Sequence, residues 1–215
     1  MKKKPCFDIG MRICRYAAGA DTSPVYCEGV CAGAGDRASG ASPLYSCRRF
    51  LGKKLDIHRA YDLISESEDR NAQIIEDVLE CISTKRTPVI LTKLKKHARF
   101  LYDRLCEKAD HVFLLYGDNT QTQNQEIRRQ MLDVPKDKRM IVIATGQKIG
   151  EGFDCPRLDA LMLASPVKFD GRLIQYVGRL NRNYEGKCDV VVYDYVDAHI
   201  GIFDNQYRNR LAAYM

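Results

Sequence analysis

Gln175-Tyr-Val-Gly-Arg-Leu-Asn-Arg182 sets two guanidinium groups three residues apart, just after a glycine. The stretch before it, Phe169-Asp-Gly-Arg-Leu-Ile174, is amphipathic. With residues 171–180 helical, Gln175, Arg179 and Arg182 lie near one face, because positions three and four apart are neighbours on a helix. Gly178 lets another group approach closely beside them. A planar, permanently charged fork suits phosphate, and two forks on one face suit a polyphosphate. The plainer reading is a solvated basic helix. The accompanying Gln and Gly, and the glycine-rich stretch that precedes them, favour the phosphate reading.

That preceding stretch is Ala144-Thr-Gly-Gln-Lys-Ile-Gly-Glu-Gly-Phe-Asp154-Cys-Pro156. Its three glycines expose backbone N–H groups that can cradle phosphate or contact a nucleic-acid backbone. Thr145 supplies a hydroxyl at a strand end, and Asp154 an acceptor suited to a ribose hydroxyl. A glycine-rich turn before the next strand is the plain alternative.

Around these motifs the pattern alternates. Apolar runs at 88–92, 111–116, 140–144, 160–164 and 189–193 read as strands. Helical periodicity marks 56–64, a helix ending near 83, a helix with the stripe Leu94, Ala98, Leu101 and Leu105, then 122–132, 171–180 and 200–214. Ser65-Glu-Ser-Glu68 reads as a capping box, and Thr92 as the cap of the helix that follows it. Strands apolar on both faces and alternating with helices predict an α/β fold with a parallel, doubly wound sheet covered on both sides. In such sheets ligands sit beyond the carboxyl ends of the strands. Polar residues at 92–93, 116–119, 145–154 and 165–168 fall there.

The 215 residues carry a formal charge of +6 and 45% hydrophobic residues. That suits one large domain with a core, and permits a polyanionic partner. No apolar run is long enough to span a bilayer, and no secretory signal follows the basic start, so a cytoplasmic location without membrane attachment is expected. Residues 1–53 read as an irregular Cys- and Gly-rich segment, with a short strand near 6–16, and residues 54–215 as the folded domain. Nine cysteines, an odd number, argue against a disulfide framework. Cys14, Cys27, Cys31 and Cys47 read either as a zinc clip or as reduced thiols, and no metal site is expected elsewhere. His97 reads as a solvated residue on a basic helix face. Cys155 and Tyr176 read as packing residues. Asp194 and Asp197 read as nuclease-type acids or, more simply, as capping groups.

The two motifs together resemble the second RecA-like lobe of superfamily 2 helicases. Residues 144–156 look like helicase motif V, residues 175–182 like motif VI, and Pro88-Val-Ile-Leu-Thr92 with Lys93 occupies the place of motif IV. The resemblance spans about 69–197. The Ile149–Asp154 and Tyr193–Asp197 patterns look most like bacterial restriction-enzyme-type and conflict-system helicases. The resemblance implies that Arg182 is an arginine finger reaching the γ-phosphate of ATP held by another lobe. Arg179 and Gln175 would complete that catalytic edge. Asp154, Gly152 and Gly178 would face the nucleotide, and Thr145, Thr92 and Lys93 the phosphates of a DNA or RNA strand. ATP and Mg2+ would be held mainly by the first lobe of the same full-length protein. The chain has no Gly-x4-Gly-Lys-Ser/Thr and no Asp-Glu-x-x box. It is therefore expected not to hydrolyse ATP alone. It departs from the family at Tyr116-Gly117-Asp118, where relatives show His-Gly-Gly.

Overall fold

A run such as Met140-Ile-Val-Ile-Ala-Thr145 has no polar face to turn toward water, so it is stable only between two layers. A computed structural model describes residues 9–16, 56–146, 154–166, 171–197 and 200–214. In it all six residues of this strand are buried. Six parallel strands form one sheet. They are β1 (Ile9–Tyr16), β2 (Pro88–Thr92), β3 (His111–Leu115), β4 (Met140–Thr145), β5 (Ala160–Leu163) and β6 (Val190–Asp197), in the spatial order β1-β6-β5-β2-β4-β3. The strand expected near 6–16 pairs with β6 over its whole length, from Ile9 opposite Val190 to Tyr16 opposite Asp197. The rest of the amino-terminal segment, with Cys27, Cys31 and Cys47, lies outside the described residues.

The helices are α1 (Ile57–Glu66), α2 (Glu68–Ser83), α3 (Lys95–Leu105), α4 (Gln121–Asp133), α5 (Gly171–Leu180) and α6 (Gly201–Tyr214). Alternate residues of the central strands feed two cores. Ile90, Ile141, Ile143 and Met162 meet α2 and α3 through Ile74, Val78, Ala98 and Leu101. Val89, Leu91, Val142, Leu161 and Leu163 meet Met131 of α4 and Tyr176 and Leu180 of α5 on the other face. The chain steps outward from β2 to β3 and then reverses through β4 to β5. Right-handed crossovers therefore put α3 on one face and α4 and α5 on the other. α1 and the start of α6 form a third cluster, where Tyr61 and Phe203 meet with ring centroids 5.0 Å apart. No helix among the described residues is long and apolar enough to cross a membrane.

Three local expectations change. The capping box at residues 65–68 does not form. α1 runs through to Glu66, the Ser65 hydroxyl donates to the Asp62 carbonyl at 2.8 Å, and the N-cap of α2, Ser67, makes no side-chain cap bond. Thr92 does not cap α3; it stays in β2, and Leu94 takes the N-cap position. A capping box does form at α4, where Thr120 and Gln123 satisfy each other's backbone N–H groups at 3.2 and 2.8 Å. The strand predicted at 189–193 runs on to Asp197.

Candidate functional site

At the carboxyl ends of the strands, Thr92 of β2 stands opposite Thr145 of β4 in register. Both are buried, at 2% and 7% exposure. The Thr92 hydroxyl is used internally, in a chain whose direction the donors and acceptors fix. Asn71 donates through Nδ2 to the Ser65 carbonyl at 2.9 Å, so its Oδ1 faces the ring of His97 and accepts from Nε2–H at 2.8 Å. His97 is neutral, its pKa pushed down to about 3 by burial and by the charges of Arg70 and Lys96. Its Nδ1 therefore accepts from the Thr92 hydroxyl at 2.9 Å, and Thr92 accepts from the Ser165 hydroxyl at 3.0 Å. Ser165 accepts in turn from the Lys93 N–H at 3.0 Å. This corrects the reading of His97 as solvated: the side chain is 1% exposed. Thr92 presents no open hydroxyl. The exposed group at this end of β2 is the Lys93 side chain, whose Nζ lies 4.1 Å from the centre of the Tyr61 ring. At the departing turn, Asp118 pairs with Lys95 in the open.

The arginine pair lies elsewhere. α5 leaves the carboxyl end of β5 and runs back over the sheet, so its last turn comes down beside the amino ends of the strands. Arg179 is half-buried there and lines a narrow crevice with Val89, Cys155, Leu158, Leu161, Tyr176 and Leu180. Arg182 falls two residues past the helix, in a turn where its N–H donates to the Arg179 carbonyl at 3.3 Å. The stretch 145–154, expected beyond the carboxyl ends of the strands, is therefore divided: Thr145 lies at that end and Asp154 with the arginines. The helix is nearly three turns long, which separates its two ends. Arg182 pairs with Asp154, and both side chains remain about half exposed, at 51% and 47%. The carboxylate of the glycine-rich stretch and the second guanidinium of the arginine pair, 28 residues apart in sequence, thus meet on an open surface. Gly178 is exposed, and a Cβ there would meet nothing within 4 Å. Any close approach it permits is to something outside the described residues. Gly152 and the side chain of Gln175 lie outside the described residues.

Tyr176 and Cys155 are buried, as read from the sequence. The Tyr176 hydroxyl donates to the Gly146 carbonyl and fixes the middle of α5 to the residue that follows β4. Asp194 and Asp197 are neither caps nor open acids. Each is buried and paired, Asp194 with Arg210 and Asp197 with Arg70. Sequence reasoning placed Ser165 at a strand end but missed Asn71 and Lys187. The Lys187 ammonium donates to the carbonyls of Pro156, Leu158 and Leu180. Only Gly186-Lys187, directly after the arginines, marks it in the sequence.

No protein-family model matches the chain. Over 132 residues it is 30% identical to transcript termination protein A18 of Yaba-like disease virus, covering 60% of this chain and 27% of that protein. It is 30% identical over 125 residues to transcript termination protein OPG145 of vaccinia virus (strain Copenhagen), covering 57% and 25%. The chain thus spans about a quarter of the length of these relatives. Its fold is similar to that in the crystal structure of T4 UvsW, with a TM-score of 0.57 and 20% identity over 70% of this chain and 30% of that one. It is also similar to the C-terminal part of the Fun30 ATPase domain, with a TM-score of 0.51 and 15% identity over 66% and 47%. With the all-parallel sheet and helices on both faces, these likenesses make the fold RecA-like.

Proposed function

We propose that this chain is the second motor lobe of an ATP-dependent helicase or translocase that moves on DNA or RNA. The observation that carries this reading is the open Arg182–Asp154 pair at the end of α5. Arg182 is the arginine finger for a nucleotide held by a first lobe, and Arg179 and Gln175 serve the same catalytic edge. Asp154 and Gly152 take the ribose side, and Gly178 leaves room for the facing lobe. The pair stands beside the sheet and not inside this lobe's own crevice. That suits groups that reach sideways to ATP and Mg2+ bound by another domain. In the resting lobe, Asp154 neutralises a cation that a γ-phosphate would claim. The strand is gripped at the other end of α5, by Lys93 and the backbone at Thr145 and Gly146, while Thr92 shapes this edge from within. Such contacts are independent of base sequence and weaken with salt. The subclass resembling bacterial restriction-type helicases rests on the Ile149–Asp154 and Tyr193–Asp197 patterns alone, and a cytoplasmic location on the sequence alone.

The test joins the chain to a first lobe bearing the ATP-binding glycine loop and measures ATP hydrolysis with single-stranded DNA and, separately, RNA. Strand-stimulated turnover is expected. Arg182→Ala should lower kcat by about 10³-fold or more, and Lys93→Ala should raise the strand concentration needed for half-stimulation. Unchanged turnover in Arg182→Ala removes the finger assignment. The second reading is a non-catalytic nucleic-acid-binding or docking module, favoured by the likeness to transcript termination proteins. It predicts strand binding with no gain in hydrolysis in the joined protein.

A further inference from the structure

Lys187 follows a turn in which its own N–H donates to the Tyr184 carbonyl at 3.1 Å. Gly186 sits at φ 86° in that turn, a conformation nearly closed to other residues, although a Cβ there would meet nothing within 4 Å. The turn throws Lys187 back over the end of α5. Its ammonium then has three acceptors for three protons: Pro156 O at 2.9 Å, Leu158 O at 2.5 Å, and Leu180 O. The last is the carbonyl of the final residue of α5, where the helix dipole favours a cation. The side chain is partly withdrawn from water, and burial pulls its pKa below the ordinary lysine value. Two of the three carbonyls belong to the segment that begins at Asp154. The third belongs to the helix that carries Arg179 and leads into Arg182.

We propose that Lys187 is a positioning residue that clamps the segment 154–158 to the end of α5 and so sets the distance between Asp154 and the arginine pair. The inference rests on the reading of that pair as the nucleotide-facing edge. Three carbonyls converging on one point suit a tetrahedral ammonium and not a planar guanidinium fork. A catalytic edge displaced by about 1 Å loses rate far more than it loses affinity.

The test uses the full chain with Lys187→Met, which keeps length and apolar stem. Amide hydrogen exchange is expected to quicken at least 10-fold at Leu158, Asn181 and Arg182, with β4 unchanged. The Arg182 Nε–H resonance should move toward that of a free arginine. Unchanged exchange at those amides together with an unmoved Arg182 resonance overturns the proposal. If Lys187→Met does not fold, Gly186→Ala perturbs the turn while keeping the ammonium, and the same two readouts decide. In the joined two-lobe protein, Lys187→Met should lower kcat about 10-fold and leave the half-stimulating strand concentration unchanged. Loosened exchange with Arg182→Ala fully active leaves the clamp standing and removes the finger. An inactive Arg182→Ala with Lys187→Met indistinguishable from the parent does the reverse.

Discussion

Arg210 grips Asp194 through two parallel bonds, Nε to Oδ2 at 2.7 Å and Nη2 to Oδ1 at 2.8 Å, with both side chains sealed from water. The pair fastens α6 to β6. Removing one partner of a buried pair leaves an uncompensated charge in the interior. Arg210→Met is therefore expected to cost about 3–5 kcal/mol, read as a lower urea midpoint. Arg210→Met combined with Asp194→Leu should recover part of that loss, because no charge is then stranded.

His97 makes stability depend on pH. Its folded pKa of about 3 lies well below the ordinary 6.5, so the unfolded chain binds the extra proton between those values. The contribution is whole above pH 6.5 and is lost as pH falls toward 3, at a limiting slope of about 1.4 kcal/mol per pH unit. Urea midpoints between pH 7 and 4 should fall accordingly. His97→Gln should flatten that slope, whatever it costs at pH 7.

The cysteines should divide by exposure. Burial pushes the Cys81 thiol up to about 11, and the thiol donates to the Tyr193 hydroxyl at 3.2 Å. Cys155 is also buried and its pKa also raised by burial, whereas Cys106 and Cys188 are exposed. Brief alkylation of the native chain at pH 8, mapped by mass spectrometry, should label Cys106 and Cys188 and spare Cys81 and Cys155 until urea is added.

Thr120→Ala removes the hydroxyl that accepts the Gln123 N–H at the start of α4. A lost N-cap costs about 1 kcal/mol. A matching drop in urea midpoint is expected, with strand binding unchanged, since α4 carries none of the proposed contacts.

The Arg182–Asp154 pair should matter little to folding. Half-exposed pairs are worth about 0–1 kcal/mol. Arg182→Ala and Asp154→Ala should therefore leave the thermal midpoint nearly unmoved. A large fall in either would mean that the pair is structural and that activity losses in these variants say nothing about a nucleotide.

The fold was legible because its strands admit one reading. Residues 88–91 and 140–144 are apolar at every position, so each needs cover on both faces, and the helical stretches between them are long enough to return the chain for a parallel neighbour. The motifs were legible because a glycine run and an arginine pair are uncommon in a fixed order. Where sequence reading failed, the partner was distant. Ser65, Glu66, Ser67 and Glu68 spell a capping box, but α1 continues through the first two and uses them up. His97 follows two lysines and reads as solvated, yet it faces Asn71, 26 residues away, and Thr92. Asp194 and Asp197 resemble open acids until Arg210 and Arg70 are brought against them.

Sequence alone determined the alternating α/β pattern, the positions of the five described strands after residue 54, and the identity of the residues that bear charge and glycine. Hydrophobic periodicity and turn chemistry are local properties and can be read in place. Tertiary structure decided which charges are buried in pairs and which stay open. It placed Arg182 and Asp154 on the surface beside the amino ends of the strands, and it turned Thr92 inward. Burial and pairing depend on residues tens of positions away, and the direction in which a helix crosses a sheet fixes which end of it meets which motif.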